Sequence, residues 1–272
     1  MIVRLATEAA PGRAENEDNA FHAGRLVGVL DGVTEPVGVD TGCVHSPAWY
    51  VHRLTTHLAD VAGRLGESLA DTLAEAIRRV RADHGGRCDL TNPATPAATV
   101  CLIRVHHDRF DYLILSDSHL VTEIGGRVQA FTDPRFQIAV TRLRSELLVP
   151  GSAEGDVERR ELTLHKYRLT NRPGGYWVAA ATPQAARHAI TGSLPLTGPD
   201  RVRRAALLTD GAACAVTEYR LMTWAGLLDL LTDHGPHELI RRVRRAEDAD
   251  PDRRAHPRFK RHDDATAVLC AF

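Results

Sequence analysis

The chain has little with which to cross a membrane. Its apolar runs, such as RLVGVLDG at 25–32, have the length of a strand, and aromatic residues make up only 5% of the 272 residues. A membrane-spanning helix needs about 20 consecutive, mostly apolar residues. The N-terminal stretch MIVRLATEAAPGR also has too short an apolar segment for a signal peptide. We therefore expect a cytoplasmic protein without a membrane partner.

Cysteine is scarce, and its spacing is uninformative. The cysteines are Cys43, Cys88, Cys101, Cys214 and Cys270. Their number is odd and no two are neighbours in the sequence, so spacing indicates neither a disulfide framework nor a zinc site. The 14 histidines form no helical pair with a general-base glutamate, which argues against a histidine metal site. His45 and His119 remain candidates for a proton shuttle.

A charge excess is also missing. The formal net charge is −1 and the isoelectric point is near 6.9, so no global field attracts nucleic acid. The basic run RRVRR at 241–245 falls on a predicted helix, where a solvated face is the simplest interpretation. No stretch resembles a linker, and we expect one domain spanning 1–272. The oligomeric state is left open.

Strand-like and helix-like segments occur in separate blocks. Strands are predicted at 25–32, 174–182, 201–211 and 265–272, with four antiparallel strands within 97–133. Helices are predicted at 47–65, 68–85, 134–148, 154–169, 221–235 and 236–249, with Gly235 as a C-cap. This grouping is typical of the α+β class, with sheets covered by helices.

Carboxylates recur at the ends of the apolar strands. Glu17 and Asp18, in RAENEDNAF (13–21), precede the first long strand, and Asp31 ends it before Gly32. Comparable positions at later strand ends are held by Asp117, Asp210, Asp263 and Asp264. A carboxylate at a strand end is exposed enough to be charged and rigid enough to be aimed.

Such acids would repel one another if the fold brought them together. Oxygen ligands favour hard divalent ions such as Mg²⁺ and Mn²⁺. Any single Asp-Gly pair is more often a turn than a ligand, and only the coincidence of several acidic strand ends favours a metal site. From the residues alone the two interpretations are about equally supported.

Five motifs in order resemble those of the metal-dependent protein phosphatases, the PPM or type 2C family. They are RAENED, VLDG, LSDS, LLTDG and DDATAV, and they run from about residue 12 to the C-terminus. Each motif is weak alone, but the five in sequence are specific. The resemblance implies a β-sandwich of two antiparallel sheets flanked by α-helices, with a dinuclear Mn²⁺ or Mg²⁺ centre at one end.

The resemblance also implies a set of ligands. Asp31 would bridge the two metals, and Gly32 would offer its backbone carbonyl. Glu17 would hold one metal, directly or through water. Asp210 and Asp263 would ligate the other metal, although Asp264 is an alternative to Asp263.

Two further residues complete the implied site. Asp117 corresponds to the acid that helps to hold a weaker third metal, and Arg13 to the arginine that grips the substrate phosphate. The implied reaction is hydrolysis of phosphoserine or phosphothreonine in a protein, by a water that bridges the metals. Asp31 and Arg13 would be the catalytic residues.

The sequence departs from the family pattern at three places. Val33 stands where many members have a histidine after Asp-Gly, which leaves no obvious side chain to protonate the leaving group. Before Asp117, where a small residue is expected, the chain has Ser116, which is a mild change. Around 134–200 the family carries a variable flap, and this segment matches no typical flap. A pseudophosphatase with a binding role and a phosphatase of a small metabolite are therefore alternatives.

Overall fold

The computed structural model describes residues 1–35, 38–63, 66–147, 156–258 and 260–272, with side chains of 156–160 excepted. The architecture is a sandwich of two antiparallel five-stranded sheets. The first sheet has the order β1 (Ile2–Glu8), β10 (Ala265–Ala271), β9 (Val202–Leu208), β6 (His119–Ile124) and β7 (Arg127–Phe131). The second has the order β2 (Asp18–Ala23), β3 (Leu26–Gly32), β4 (Ala98–Val105), β5 (Arg109–Leu115) and β8 (Ile190–Pro195).

Helices cover the outer face of each sheet. The second sheet is covered by α1 (Pro47–Val61) and α2 (Leu69–Asp83). The first sheet is covered by α5 (Asp210–Thr217), α6 (Trp224–Asp233) and α7 (Pro236–Ala249). Two further helices, α3 (Arg135–Leu147) and α4 (Asp156–Leu169), pack on each other beside the sandwich. Among the described residues, no helix combines the length and apolar character needed to cross a bilayer.

The sandwich core is formed by alternate residues of facing strands. Val29 and Ile103 from one sheet meet Leu207 and Val268 from the other, and all four are fully buried. The opposite faces of the same strands pack under the helices, as Leu30 does beneath α1 and α2. Because both faces are covered, these strands read as continuous apolar runs in the sequence.

The predicted α+β class, with two packed antiparallel sheets between helices, is confirmed. The four antiparallel strands within 97–133 are β4 to β7, and their hairpin turns lie at 106–108 and 125–126. The prediction of a single domain with a variable flap around 134–200 stays a prediction. That range contains α3, α4 and β8, and its residues 148–155 lie outside the described part.

Three local predictions are wrong. Residues 174–182 form no strand, because β3 and β5 flank β4 and the run makes only one bridge to β4, between Ala179 and Ala98. The strand predicted at 201–211 ends at Leu208, and Asp210 starts α5. Gly235 is the N-cap of α7 at φ 85°, whereas His234 caps the end of α6.

Candidate metal centre

The acidic strand ends meet at one end of the sandwich. Asp18, at the start of β2, is paired in register with Asp31, at the end of β3. Asp117 follows β5 in the connection that crosses to the first sheet. Asp210 follows β9, and Asp263 precedes β10. The end of β9 is paired with the start of β10, because Leu208 lies opposite Ala267. The antiparallel register therefore delivers acids from both sheets to one place.

These acids surround a cavity of about 280 Å³. Its lining includes Gly32 and five carboxylates, four from Asp31, Asp117, Asp210 and Asp263 and the fifth from Glu35. The opposite wall is formed by the aromatic residues Phe136, Tyr167 and Tyr176 and by Val178. A polar, acidic floor thus faces an aromatic wall that α3, α4 and the segment after α4 supply.

Close backbone packing fixes the acids in position. The Gly32 amide donates to the Glu17 carbonyl at 2.9 Å, and a Cβ on Gly32 would lie 2.7 Å from that oxygen. A Cβ on Gly211 would lie 1.9 Å from the Asp264 carbonyl. Ser116 has a φ of 71°, a left-handed conformation that favours glycine. The chain next to three of the acids is therefore tightly constrained.

Burial and mutual repulsion raise the pKa values of the acids. For Asp31, burial is the largest cause, followed by repulsion from Asp210 and Asp18, and its pKa lies well above the usual range. Burial and then Asp210 raise the pKa of Asp117 to about 7. The same two causes, in the same order, raise the pKa of Asp263 to about 6. These carboxylates therefore carry negative charge that the protein itself compensates poorly.

The chain has only two lysines, and both line this cavity. The Lys260 ammonium donates to Asp263 Oδ1 at 2.7 Å and to Thr34 Oγ1 at 2.8 Å. Burial disfavours the charged form of Lys260, but Asp263, Asp210 and Asp31 together outweigh burial and raise its pKa. Burial lowers the pKa of Lys166, against the attraction of Asp117. Two ammonium groups thus face at least four carboxylates.

The donor set matches hard divalent cations. The floor of the cavity offers only oxygen ligands, from carboxylates and from the Gly32 backbone. Oxygen-only sets of this kind suit Mg²⁺ and Mn²⁺. The raised pKa values of Asp31, Asp117 and Asp263 mean that their ionised forms are disfavoured, and a bound cation would favour those forms. The residues present therefore fit a centre of divalent ions.

No protein-family model and no curated protein sequence matches this chain. Solved structures do match it. The Mycobacterium tuberculosis serine/threonine phosphatase PstP/Ppp matches with a TM-score of 0.61 and 15% identity, covering 100% of this chain and 99% of that one. The catalytic domain of PstP in complex with two manganese ions matches with a TM-score of 0.56 and 15% identity, covering 98% and 96%.

A third structure carries the family name. The PPM Ser-Thr phosphatase MsPP from Mycobacterium smegmatis, in complex with cacodylate, matches with a TM-score of 0.55 and 18% identity, covering 99% of this chain and 97% of that one. This chain has the PPM phosphatase fold. The predicted resemblance is confirmed at the level of the fold along essentially the whole chain.

The two acidic residues before β10, Asp263 and Asp264, have different surroundings. Asp263 lines the cavity. Asp264 instead accepts hydrogen bonds from the amides of Ala10 at 2.7 Å and Glu17 at 2.6 Å. The geometry therefore favours Asp263 over Asp264 as the residue that faces a ligand.

The remaining predicted residues lie at the edge of the cavity. Arg13 forms an ion pair with Glu17, with 2.7 Å between Nη1 and Oε2, and its side chain is 36% exposed. Glu17 also accepts a hydrogen bond from the Thr34 hydroxyl. Neither Arg13 nor Glu17 is among the described residues that line the cavity. The structure places both residues beside the acidic cluster without aiming Glu17 into it.

Sequence reasoning missed the structural importance of Asp18. Its carboxylate is buried, pairs in register with Asp31 and accepts a 2.8 Å hydrogen bond from the Thr209 hydroxyl. Burial, Asp263 and Asp210 all raise its pKa. The acid pair in RAENED was the available signal, but only the strand register shows which member points inward.

The two histidines considered as proton shuttles lie elsewhere. The described lining of the cavity contains no histidine, and Val33 occupies the position after Asp-Gly. His119 packs against Trp224, with 5.4 Å between ring centroids, and burial lowers its pKa to about 4. His45 belongs instead to a cluster with Cys43, His84 and Cys88 that spacing did not indicate.

Proposed function

We propose that this protein is a Mn²⁺- or Mg²⁺-dependent phosphatase that hydrolyses phosphoserine and phosphothreonine in proteins. The observation that carries the proposal is the convergence of Asp31, Asp117, Asp210 and Asp263 in one cavity. The PPM fold and the two manganese ions in the matching PstP structure support it. The near-neutral charge supports a phosphoprotein partner over nucleic acid, and we infer a role in cytoplasmic signalling.

The proposal gives each acid a place. Asp31 would hold both ions and Gly32 would offer its backbone carbonyl, with Asp210 and Asp263 on one ion and Glu17 on the other, directly or through water. Asp117 would help to hold a third. When bound, such ions supply an activated water and neutralise charge on the phosphate oxygens. The buried Asp18 would support this set by tying the start of β2 to Thr209, the residue before Asp210, whose hydroxyl donates to the Asp18 carboxylate at 2.8 Å.

Basic residues of the chain would bind the phosphate. The Arg13 guanidinium, held by Glu17, has a fork geometry that suits two phosphate oxygens. Lys166 and Lys260 add two point charges within the cavity. Together these cations would orient the phosphate towards the metal ions at Asp31. They would also balance the negative charge of the phosphate. The aromatic residues Tyr167 and Tyr176, which also line the cavity, would limit the access of bulk water.

Turnover of p-nitrophenyl phosphate and of a phosphothreonine peptide tests the proposal. We expect hydrolysis that requires added Mn²⁺ or Mg²⁺ and that is lost in the variant Asp210→Asn. Asp108→Asn is the matched control, because Asp108 lies in the exposed turn between β4 and β5, at the end of the sheet away from the cavity. Metal-dependent turnover that survives Asp210→Asn would refute the proposed site.

One observation favours the alternative of a pseudophosphatase that acts as a regulatory binding module. The Lys260 ammonium already neutralises part of the charge on Asp263. If the two lysines compensate the acids sufficiently, the pocket needs no metal. In that case Mn²⁺ would neither support turnover nor raise the melting temperature of the protein, whereas a phosphatase would show both effects.

The second alternative is a phosphatase of a small phosphorylated metabolite. A cavity of about 280 Å³ with an aromatic wall is large enough to enclose a small molecule. Comparing kcat/KM for phosphopeptides with kcat/KM for a panel of phosphorylated metabolites decides between the substrates. A preference for peptides supports the first proposal, and a preference for a metabolite replaces it.

A further inference from the structure

A second group of metal-binding side chains lies outside the acidic cavity. Cys43 and His45 belong to the loop between β3 and α1, whereas His84 caps α2 and Cys88 lies in the loop before β4. One ligand atom from each of these four residues lies within 4.8 Å of all the others. The two halves of the group are 39 residues apart in the sequence, between His45 and His84.

The distances agree with a tetrahedron around a single ion. Cys43 Sγ lies 3.5 Å from His45 Nδ1 and 3.5 Å from His84 Nδ1, and Cys88 Sγ lies 3.4 Å from His45 Nδ1. With Zn–S and Zn–N bonds of about 2.3 and 2.05 Å, a tetrahedral site has S···N edges of about 3.6 Å. Both imidazoles therefore already present Nδ1 to the sulfur atoms at ligand spacing.

The surroundings hold the side chains in this arrangement. The Trp49 ring stacks on His45 with 3.8 Å between centroids and meets the edge of His84 at 4.9 Å. His84 is 1% exposed. The His45 backbone amide also donates to Cys43 Sγ at 3.4 Å, and such a contact stabilises a metal-bound thiolate. The ligand side chains are thus oriented by the Trp49 ring and by a backbone amide.

The group joins two loops that both reach the acidic cavity. The Asp89 amide donates to the Gly42 carbonyl at 2.7 Å, and the Asn92 side chain donates to the Asp40 carbonyl at 2.9 Å. The first loop then continues back to Thr34 and Glu35, and the second continues to residues 93–95, all of which line the cavity. An ion bound here would fix the spacing of two loops that shape one side of the cavity.

We propose that Cys43, His45, His84 and Cys88 bind one Zn²⁺ in a closed tetrahedral site that is structural. Two cysteines and two histidines are a typical zinc set, and four protein ligands leave no open position for a substrate. This site is chemically distinct from the acidic centre, whose oxygen ligands favour harder ions. The proposal does not depend on the phosphatase activity.

The competing interpretation is a redox-active pair. Cys43 Sγ and Cys88 Sγ lie 3.0 Å apart, and neither cysteine forms a disulfide in the structure. This separation is shorter than the S···S edge of about 3.8 Å expected around zinc and longer than the S–S bond of about 2.05 Å. The two histidines at ligand spacing favour zinc, since a disulfide needs neither.

Elemental analysis and cobalt spectroscopy of the full chain test the proposal. Protein purified in reducing buffer without added metal should contain one Zn²⁺ per chain. Replacement of that ion by Co²⁺ should give the intense visible bands of a tetrahedral site and a near-ultraviolet sulfur-to-cobalt charge-transfer band. That band identifies thiolate ligands, so a cation in the acidic cavity cannot produce it. Its absence, or a Cys43–Cys88 disulfide in place of zinc, would overturn the proposal.

Variants separate this site from the catalytic one. Cys88→Ala and His84→Ala should lower the zinc content from one to near zero, whereas Cys270→Ala and His52→Ala, which alter residues of the same types outside the group, should retain it. Asp210→Asn should also retain one zinc even when it abolishes turnover. Where a variant does not fold, the cobalt spectrum of the unmutated chain remains decisive. Full zinc content in Cys88→Ala would refute the assigned ligands.

Discussion

Two clusters of ligands in this protein are assembled in different ways. The acidic cluster takes its members from strand ends, so the register of the two sheets places Asp31, Asp210 and Asp263 together. The Cys/His cluster takes its members from two loops that meet through turns and helix ends. The first therefore depends on the sandwich itself, and the second on the packing of the loops outside it.

Because their ligands differ, the two clusters should respond differently to the removal of metal ions. Carboxylates hold hard ions that exchange readily, whereas two thiolates and two imidazoles hold zinc in a closed site. Loss of the acidic ions should remove chemistry and leave the fold. Loss of the other ion should loosen two loops and reduce catalysis only through their movement.

The largest expected effect is on turnover. Asp31→Asn or Asp210→Asn removes a ligand from the acidic cluster, and we expect kcat/KM to fall by about 10³-fold or more, because metal ions contribute several kcal/mol to such reactions. Both variants should keep one zinc. The measurement is steady-state hydrolysis of p-nitrophenyl phosphate with saturating Mn²⁺. A fall in kcat/KM of less than tenfold would contradict the assignment of the acidic cluster as the catalytic one.

The same difference explains what the sequence could predict. Asp31, Asp117 and Asp210 were visible because each follows an apolar strand, and the order of the motifs indicated the fold. The resemblance assigned Glu17 as a ligand and gave Asp18 no role, since only the fold shows that Asp18 is buried opposite Asp31. His45 and His84 are far apart in the sequence, and no local spacing signals a contact made by loop packing.

Fold predictions failed for similar physical reasons. The run at 174–182 has the composition of a strand, but β5 occupies β4 from Val100 onward, so the run makes only one bridge to β4, between Ala179 and Ala98. The polar strand β2 lacks the apolar alternation that reveals a strand, and it forms because β3 offers a hydrogen-bonding edge. Tertiary context decides both cases.

The next effect is on stability. Cys88→Ala removes one ligand from the Cys/His cluster, and we expect the melting temperature to fall by about 5–10 °C because metal binding contributes directly to folding. The kcat of the Mn²⁺-loaded enzyme should fall by less than about tenfold, since no ligand of the acidic cluster is lost. Differential scanning fluorimetry and the phosphatase assay measure the two quantities. Cys270→Ala is the control, and equal melting temperatures for the two variants would contradict the prediction.

A smaller effect concerns pH. The pKa of Asp117 is raised to about 7 and that of Asp263 to about 6, so the folded protein retains protons that the unfolded chain has released. The stability of the protein without Mn²⁺ should therefore fall as the pH rises from about 4 to about 7. Added Mn²⁺ should raise the melting temperature more at pH 7.5 than at pH 5. An equal effect at both pH values would contradict the electrostatic account, and Asp210→Asn should weaken the dependence.

The smallest effect concerns the lysine within the acidic cluster. Lys260 and a bound cation compete for the carboxylate of Asp263, so Lys260→Gln should tighten Mn²⁺ binding by about threefold to tenfold. The substrate phosphate then lacks the positive charge of the Lys260 ammonium, and KM should rise. Calorimetry and steady-state kinetics report the two effects. Lys166→Gln is the comparison, because Asp117 is the carboxylate that attracts Lys166 most strongly. Weaker Mn²⁺ binding in Lys260→Gln would contradict the competition.

The most direct test of the acidic centre is the binding of Mn²⁺ to zinc-loaded protein, measured by isothermal titration calorimetry. The account predicts that the unmutated chain and Asp108→Asn bind at least two Mn²⁺ ions, and that Asp210→Asn loses at least one of them. Absence of binding to the unmutated chain, or equal binding by Asp210→Asn, would contradict the claim that these aspartates share divalent ions.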